Sequence, residues 1–225
     1  MSETRTFSRR KATERSQPDE LVLPQWAFEL MRPCVRLAFR LFWDLRFKDT
    51  ENIPAEGGLI IASNHQTYID PFWLSIPIKR PLRYLAWDVA FDWPLVGDLI
   101  RLLGAWPLQV ERRDPAAIRR TLQWLRDGGS VVIFPEGGRG RPDGSMLRFK
   151  GGAVRLALEA EVPILPVTIC GANRVWPAGR SFPQPGEVEI TYHPLYHLDQ
   201  QPGEEPRLCA RRESERLAKI IRSAL

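Results

Sequence analysis

Short aliphatic runs that alternate with segments of helical periodicity constrain the fold of this chain more than any other feature of its sequence. Residues 57–62, 130–134 and 164–169 have the sequences GGLIIA, SVVIF and ILPVTI, which are typical of strands buried on both faces. Asp114 and Pro115 supply an N-cap and a first helical residue, and an apolar helical period then continues to Arg126. Further strands are predicted at 82–86 and 188–192, and further helices at 71–78, 97–103, 153–159 and 204–225. Strands separated by helices indicate a single α/β domain with a mostly parallel mixed sheet flanked by helices.

The first 48 residues differ in composition from the rest of the chain. Residues 1–20 are polar, lack an apolar period and are predicted to be a disordered tail. Residues 21–48 are dense in Leu, Phe and Trp, while Arg32, Arg36 and Arg40 recur at the four-residue spacing of one helical face. This pattern predicts an amphipathic helical segment, which either lies in a membrane interface or packs on the domain as an ordinary helix. The remaining residues, 49–225, form the α/β domain.

Charge is distributed unevenly along the chain. Residues 101–155 carry 11 basic and 5 acidic side chains, an excess larger than the net charge of +5 for the whole chain. Such a local field favours an anionic partner, such as a phosphate, a phospholipid surface or an acidic carrier protein. Nucleic acid is disfavoured as a partner because the sequence has no RNP-like aromatic motif and no zinc-finger spacing.

The sequence offers no sign of export or of a membrane span. No run approaches the roughly 20 apolar residues that a transmembrane helix needs, and the N-terminus lacks the apolar centre of a signal peptide. The three cysteines are scattered without disulfide or metal spacing, which favours a reducing compartment. We therefore expect a cytoplasmic protein without a transmembrane span or a signal peptide.

A histidine and an aspartate follow the first buried strand. His65 lies in the segment SNHQTYID, and Asp70 follows five residues later, where a helix is predicted to begin. A loop of this length between a strand and a helix allows the Asp70 carboxylate to accept the Nδ1 proton of His65, which leaves Nε2 free to act as a general base. No G-x-S-x-G motif or suitably placed cysteine supplies a nucleophile, so the base is expected to activate a substrate hydroxyl or amine. A structural histidine in a loop is the alternative.

A glycine-rich and arginine-rich segment follows the second buried strand. Residues 134–144, FPEGGRGRPDG, contain Glu136, Arg139 and Arg141 beside glycines that permit close backbone approach. Ligands bind at the carboxyl ends of parallel strands, and the planar guanidinium group suits a phosphate. The segment matches neither GxxxxGK[ST] nor GxGxxG, which argues against ATP and dinucleotides. The alternative is a solvated surface turn.

Four of these segments together resemble the ordered motifs of the glycerolipid acyltransferases, which include the 1-acylglycerol-3-phosphate (lysophosphatidic acid) acyltransferases. The motifs are NHxxxxD, an arginine after an apolar strand, FPEGTR and an apolar stretch around proline. The first motif is matched by Asn64, His65 and Asp70, and the second by Arg112 after AWPLQV. The third is matched by Phe134, Pro135, Glu136, Gly137 and Arg139, and the fourth by Pro163 and Pro166. The resemblance covers about residues 50–195, and four motifs in order are far more specific than any one of them.

The resemblance implies the activity and the roles of the site residues. It implies that residues 49–225 are an acyltransferase domain, which transfers a fatty acyl group from acyl-CoA or acyl-carrier protein to a lysophospholipid hydroxyl at a membrane surface. His65 would be the base and Asp70 would orient it, and the acceptor's glycerol phosphate would be held by Arg112, Glu136, Gly137, Arg139 and, less directly, Lys150. Gly138 stands where the family's third motif has Thr, which opens the choice of acceptor to another lysophospholipid, an aminolipid or a lysoglycolipid.

No metal or other cofactor is expected beyond the acyl-CoA or acyl-carrier protein that acts as co-substrate. His193 and His197 have H-x₃-H spacing, but no further ligand accompanies them, and packed or surface histidines are the preferred interpretation. The protein is expected on the cytoplasmic side of the membrane as a peripheral or monotopic enzyme. The alternatives are a CoA-independent transacylase that takes acyl chains from another phospholipid and a non-catalytic lipid-binding protein.

Overall fold

The aliphatic runs predicted as strands form the middle of one sheet in the computed structural model, which describes residues 22–109, 114–177 and 180–225. The strands are β1 (Trp43–Lys48), β2 (Leu59–Ser63), β3 (Leu82–Trp87), β4 (Ala105–Leu108), β5 (Ser130–Ile133), β6 (Ile164–Cys170) and β7 (Gly186–Tyr192). The helices are α1 (Gln25–Phe42), α2 (Asp70–Ser75), α3 (Val96–Leu102), α4 (Pro115–Arg126), α5 (Gly152–Ala160), α6 (Ala172–Val175) and α7 (Pro206–Arg222).

The described strands form a seven-stranded sheet in the order β1-β7-β6-β2-β5-β3-β4. β2 is central, and it pairs in parallel with β5 on one side and with β6 on the other. β3 and β4 extend the parallel part beyond β5, whereas β7 is antiparallel to β6 and β1 is parallel to β7. The prediction of an α/β domain with a mostly parallel mixed sheet is confirmed. The carboxyl ends of β2 and β5 therefore lie side by side, at the edge where such sheets bind ligands.

Both faces of β2 are buried, which explains its unbroken aliphatic sequence. Leu59 and Ile61 pack in a core with Trp73 of α2 and with residues of β1, β6 and β7. Ile60 and Ala62 pack in a second core, on the opposite face, with side chains of α4, α5 and α7. All five β2 side chains, including that of Ser63, are fully buried. Burial of aliphatic surface at about 25 cal/mol per Å² makes these two cores the main stabilisation of the sheet and of the loops that leave it.

The predicted N-terminal segment 21–48 is not helical throughout, because residues 43–48 form the edge strand β1. Apolar Trp43, Leu45 and Phe47 alternate there with charged residues, which is the period of a half-buried strand rather than a helix. β1 pairs along its whole length with β7, and Arg46 forms a cross-strand ion pair of 2.7 Å with Glu187. This strand belongs to the domain, so the helical segment ends at Phe42.

Helix α1 exposes large apolar side chains. Trp26, Leu30 and Leu37 are each more than half exposed, whereas Phe39 packs against the core that contains Trp73. The position of the side chains of Arg32, Arg36 and Arg40 lies outside what the structure describes, as does the predicted disordered tail 1–20. In the described part of the chain, no helix combines the length and the apolar character that crossing a bilayer requires.

Candidate active site

Two loops meet at the carboxyl edge of the central strands. Ala62 of β2 lies opposite Ile133 of β5 in parallel register, so the chain leaves both strands at the same level of the sheet. The loop after β2 carries His65, and the loop after β5 carries Glu136. The backbone N–H of Gly140, in the second loop, donates to the carbonyl oxygen of His65 at 2.6 Å. The two segments that the sequence analysis singled out therefore form one site.

His65 and Asp70 are in direct contact. The Nδ1 atom of His65 lies 2.9 Å from Oδ2 of Asp70. The imidazole stacks on the ring of Phe134, with a centroid distance of 4.0 Å and an interplanar angle of 22°. The His65 side chain is 17% exposed, and among the described residues none hydrogen-bonds to Nε2. The ring is thus held through one nitrogen and one face, while the other nitrogen stays available to a substrate.

Asp70 is fixed by several further donors. Its side chain is fully buried, and Oδ2 also accepts the backbone N–H groups of Gln66 at 2.5 Å and Thr67 at 2.8 Å. The hydroxyl of Thr67 donates to Oδ1 at 2.6 Å. Buried polar groups are tolerated where hydrogen bonds satisfy them, and every oxygen of this side chain has a donor. Asp70 is therefore a rigid support for His65.

Glu136 connects the two loops. Oε1 accepts the backbone N–H of His65 at 2.8 Å, and Oε2 accepts that of Leu147 at 2.5 Å. The residue is 2% exposed. Burial raises the pKa of the Glu136 carboxyl above its ordinary value, although the two backbone donors act in the opposite direction. The resemblance implied that Glu136 holds the acceptor phosphate, but a buried carboxylate with both oxygens bonded to backbone is placed to position His65.

Arg139 lies against an aromatic cluster on the solvent side of the site. Its guanidinium carbon is 4.0 Å from the ring centroid of Tyr68, within the range of a cation–π contact. Tyr68 in turn contacts Trp93 and Trp176, each at a centroid distance of 6.0 Å with the rings edge to face. Arg139 is therefore restrained next to the loop that carries His65, and the residue is partly exposed.

Lys150 is also near the third motif. Its backbone N–H donates to the carbonyl of Pro135 at 2.8 Å. Its ammonium group lies 2.5 Å from the point that a Cβ on Gly137 would occupy, and the φ of +67° at Gly137 is one that side-chain-bearing residues rarely adopt. A glycine at position 137 thus allows the Lys150 ammonium to approach the backbone. At Gly138, by contrast, a Cβ would meet no atom within 4 Å.

The structure brings most of the predicted site residues together. His65, Asp70, Glu136 and Gly137 surround the meeting point of the two loops, and Arg139 and Lys150 flank it, whereas Arg112 lies outside the described residues. Among the described residues, no three His, Cys, Asp or Glu side chains are grouped so as to hold a metal ion. His193 is a packed histidine, with Nε2 2.8 Å from the hydroxyl of Thr168.

Three supporting residues were not recognised from the sequence as contributing to the geometry. Asn64 exchanges two hydrogen bonds of 2.8 Å with the backbone of Ile169, which ties the first loop to β6. Gln66 bonds to the backbone of Gly144 and Asn173. Thr67 stands three residues before Asp70, and this capping-box spacing is a local signal that predicts its contacts with the carboxylate. The contacts of Asn64 and Gln66 join distant segments and leave no such signal.

Comparison with known proteins identifies relatives over most of the chain. A family model described as acyltransferase matches residues 44–170. The chloroplast 1-acyl-sn-glycerol-3-phosphate acyltransferase BAT2 of Brassica napus is 29% identical over 162 residues, which cover 69% of this chain and 46% of that protein. The 1-acyl-sn-glycerol-3-phosphate acyltransferase of Borreliella burgdorferi is 29% identical over 204 residues, covering 88% of this chain and 77% of that protein. The chain spans less than half the length of the Brassica relative.

A solved structure has the same fold. The 1-acyl-sn-glycerophosphate (LPA) acyltransferase PlsC of Thermotoga maritima superposes with a TM-score of 0.70 at 25% identity, covering 89% of this chain and 79% of that chain. The matched model spans more than half of the present sequence and includes both loops of the site. The chain therefore belongs to the glycerolipid acyltransferase family.

Proposed function

We propose that this chain transfers a fatty acyl group from an acyl thioester to the hydroxyl of a lysophospholipid, with 1-acylglycerol-3-phosphate as the acceptor. The observation that carries the proposal is the contact between His65 and Asp70, in which one imidazole nitrogen is bonded to a buried carboxylate and the other is open. A positioned base without a protein nucleophile suits direct attack by a substrate hydroxyl. The family membership and the names of the relatives support the same reaction.

The proposed reaction is a single acyl transfer with His65 as base and then as acid. Nε2 of His65 removes the proton of the acceptor hydroxyl as its oxygen attacks the thioester carbonyl carbon. The new C–O bond forms, the C–S bond breaks, and the thiolate leaves with the proton that His65 holds. Asp70 stabilises the imidazolium during this exchange because its carboxylate lies 2.9 Å from Nδ1.

Two cations are proposed to bind the acceptor phosphate. Arg139 is held on the ring of Tyr68, and Lys150 is held beside Gly137, so both can meet an anion near the two loops. Arg112 remains a predicted third ligand from the resemblance. Gly138 leaves open space where the family motif has Thr, so an acceptor with a different head group remains the alternative.

We also propose that exposed apolar residues dock the protein on a membrane, where a lysolipid acceptor resides. Trp87, Leu95 and Leu99 near α3 are at least about half exposed, as are Trp26 and Leu30 of α1. The two regions are adjacent, because the backbone N–H just before α1, at residue 23, donates to the carbonyl of residue 102 at 3.0 Å. Apolar and aromatic side chains in one region favour a membrane interface.

The activity is tested by acyl transfer with purified protein in liposomes. A labelled long-chain acyl-CoA or acyl-carrier protein is offered with lysophosphatidic acid and with a panel of other lysolipids. We expect transfer to lysophosphatidic acid by the parent protein and loss of turnover in His65→Ala, with liposome binding retained. Undiminished turnover in His65→Ala would refute the role of the base, and no transfer from either donor would favour a non-catalytic lipid-binding protein.

Membrane docking is tested separately by liposome sedimentation. Leu95→Glu places a charge on the proposed docking surface and should reduce binding, while Ile118→Glu changes an exposed apolar residue of α4 and should not. Equal binding of both variants and the parent protein would refute this surface.

A further inference from the structure

A groove lined by basic residues lies between residues 141–155 and helix α7. It consists of two adjoining cavities of about 490 and 370 Å³ that share Arg148, Phe149 and Glu215. Eight lysine or arginine side chains and one carboxylate, that of Glu215, line this basic groove. Its excess of positive charge therefore exceeds the net +5 of the entire chain. Cavities of this size are typical of small-molecule sites.

Most of the cations in the basic groove have no carboxylate partner. Glu215 lies 3.3 Å from Arg211 and 3.9 Å from Arg148. Within the part of the chain that the structure describes, the other six form no ion pair, and Arg155, Arg207 and Lys219 are exposed. Like charges held this close repel one another and attract a polyvalent anion.

The charge of the groove arises from the way helix α7 divides its residues between two faces. Arg207, Arg211 and Lys219 share the face that lines the groove. Arg212 and Arg216, which do not line the groove, form ion pairs with carboxylates at positions 199, 204 and 213. Helix α7 carries six basic and two acidic residues. Among the described residues, its cations Arg207, Lys219 and Arg222 line the groove and form no ion pair.

The basic groove adjoins the candidate active site. Lys150 lines the first cavity, and its ammonium lies beside Gly137. Leu147 lines the second cavity, and its N–H donates to Glu136, which also holds the backbone of His65. The groove and the site therefore share contacts through the loop of the third motif.

We propose that the basic groove binds the phosphorylated nucleotide end of a coenzyme A thioester whose acyl end lies at His65. The proposal rests on the acyl transfer proposed above and names its donor. Coenzyme A carries a diphosphate and a ribose 3′-phosphate at one end of a flexible arm and the thioester at the other. Its phosphates match the unpaired cations, and guanidinium groups can stack on its planar base. The small extent of the groove favours this ligand over an acidic carrier protein, which would need about 800 Å² of complementary surface.

Direct binding tests the groove without requiring turnover. Calorimetric titrations use coenzyme A and dephospho-coenzyme A, which lacks the 3′-phosphate, against the full chain. Arg155→Gln and Arg207→Gln each remove one exposed cation from the groove, while Arg119→Gln removes an exposed cation from α4 as the matched control. We expect the parent to bind dephospho-coenzyme A about tenfold more weakly than coenzyme A, and each groove variant to lose about tenfold in affinity for coenzyme A. Arg119→Gln should stay within about twofold of the parent, as expected for a surface charge far from the ligand.

Kinetics with two donors separate this proposal from the reaction itself. The groove variants should raise KM for acyl-CoA, while KM for an acyl-pantetheine thioester, which lacks the nucleotide, should equal that of the parent. Absence of coenzyme A binding, or equal binding by parent and groove variants, would overturn the nucleotide site even if transfer is intact. If the protein uses acyl-carrier protein but not acyl-CoA as donor, and the groove variants impair that transfer, the nucleotide site is overturned in favour of an acidic protein partner. Normal coenzyme A binding without transfer from any donor would instead refute the proposed function.

Discussion

Replacing Asp70 by Asn tests whether His65 needs a neighbouring charge or only a hydrogen-bond partner. Oδ2 of Asp70 accepts three hydrogen bonds, from Nδ1 of His65 and from the N–H groups of Gln66 and Thr67, while Oδ1 accepts the Thr67 hydroxyl. An asparagine carbonyl can accept the same three bonds, and its NH₂ group can donate to the Thr67 hydroxyl oxygen. The Asp70→Asn substitution therefore removes the negative charge while keeping shape and hydrogen bonding.

The expected size of the effect follows from the distance between the two side chains. Two unit charges about 4 Å apart interact by about 4 kcal/mol at an effective dielectric constant near 20. Losing that stabilisation of the imidazolium corresponds to roughly 10³-fold in rate. The loss cannot exceed the total contribution of a general base, which is about 10²–10⁴-fold. We expect kcat to fall by roughly 10²–10³-fold, with little change in KM because the Asp70 side chain is fully buried.

The assay measures release of free thiol from the acyl donor in the presence of lysophosphatidic acid. Asp114→Asn is the matched control, since it makes the same chemical change at the N-cap of α4, where Asn caps as well as Asp. Circular dichroism shows that both variants are folded. A kcat for Asp70→Asn within about fivefold of the parent would refute the electrostatic role of Asp70, since that corresponds to only about 1 kcal/mol.

Four further substitutions test the site and the packing of the sheet that supports it. Burial raises the pKa of Glu136, so the folded chain binds a proton there more tightly than the unfolded chain does. The stability that this proton gives the folded chain is lost as the pH rises above about 4.5 and through the raised pKa. The difference in the free energy of unfolding between the parent and Glu136→Gln, measured with urea, should therefore fall over that pH range. A difference that does not change with pH would contradict the role of burial. Arg80 is buried and donates to four backbone carbonyls, so Arg80→Met should cost roughly 3 kcal/mol or more; a loss below about 1 kcal/mol would show that these bonds contribute little. Gly138→Thr should leave the melting temperature nearly unchanged because a Cβ there meets open space, whereas Gly58→Ala should lower it, since its Cβ would lie 2.2 Å from the carbonyl oxygen of Leu125. Equal melting temperatures for these two glycine variants would contradict the geometry, and the acceptor panel repeated with Gly138→Thr tests whether this position selects the head group.

Local sequence patterns determined the fold class and the central pair of the site. Strands β2, β5 and β6 were predictable because burial on both faces requires an unbroken aliphatic run. The contact between His65 and Asp70 was predictable because a short loop between a strand and a helix lets a carboxylate five residues after a histidine fold back onto its ring. Residues 43–48 were predicted wrongly as helix, since the preceding helical pattern concealed a strand whose partner, β7, lies about 140 residues later.

The amino-acid sequence by itself thus determined which residue types meet at the site, because motifs and periodicities are properties of short segments. Only the tertiary structure decided what several of them contact. The family resemblance implied that Glu136 binds the acceptor phosphate, but pairing of β2 with β5 places its carboxylate at hydrogen-bond distance from the backbone N–H of His65. Helix α7 is basic in sequence, with six basic and two acidic residues, but only its packing beside residues 141–155 brings cations of both segments into one groove. Contacts between residues distant in the chain depend on how strands and helices pack. That packing is determined by side chains throughout the core and not by any single segment.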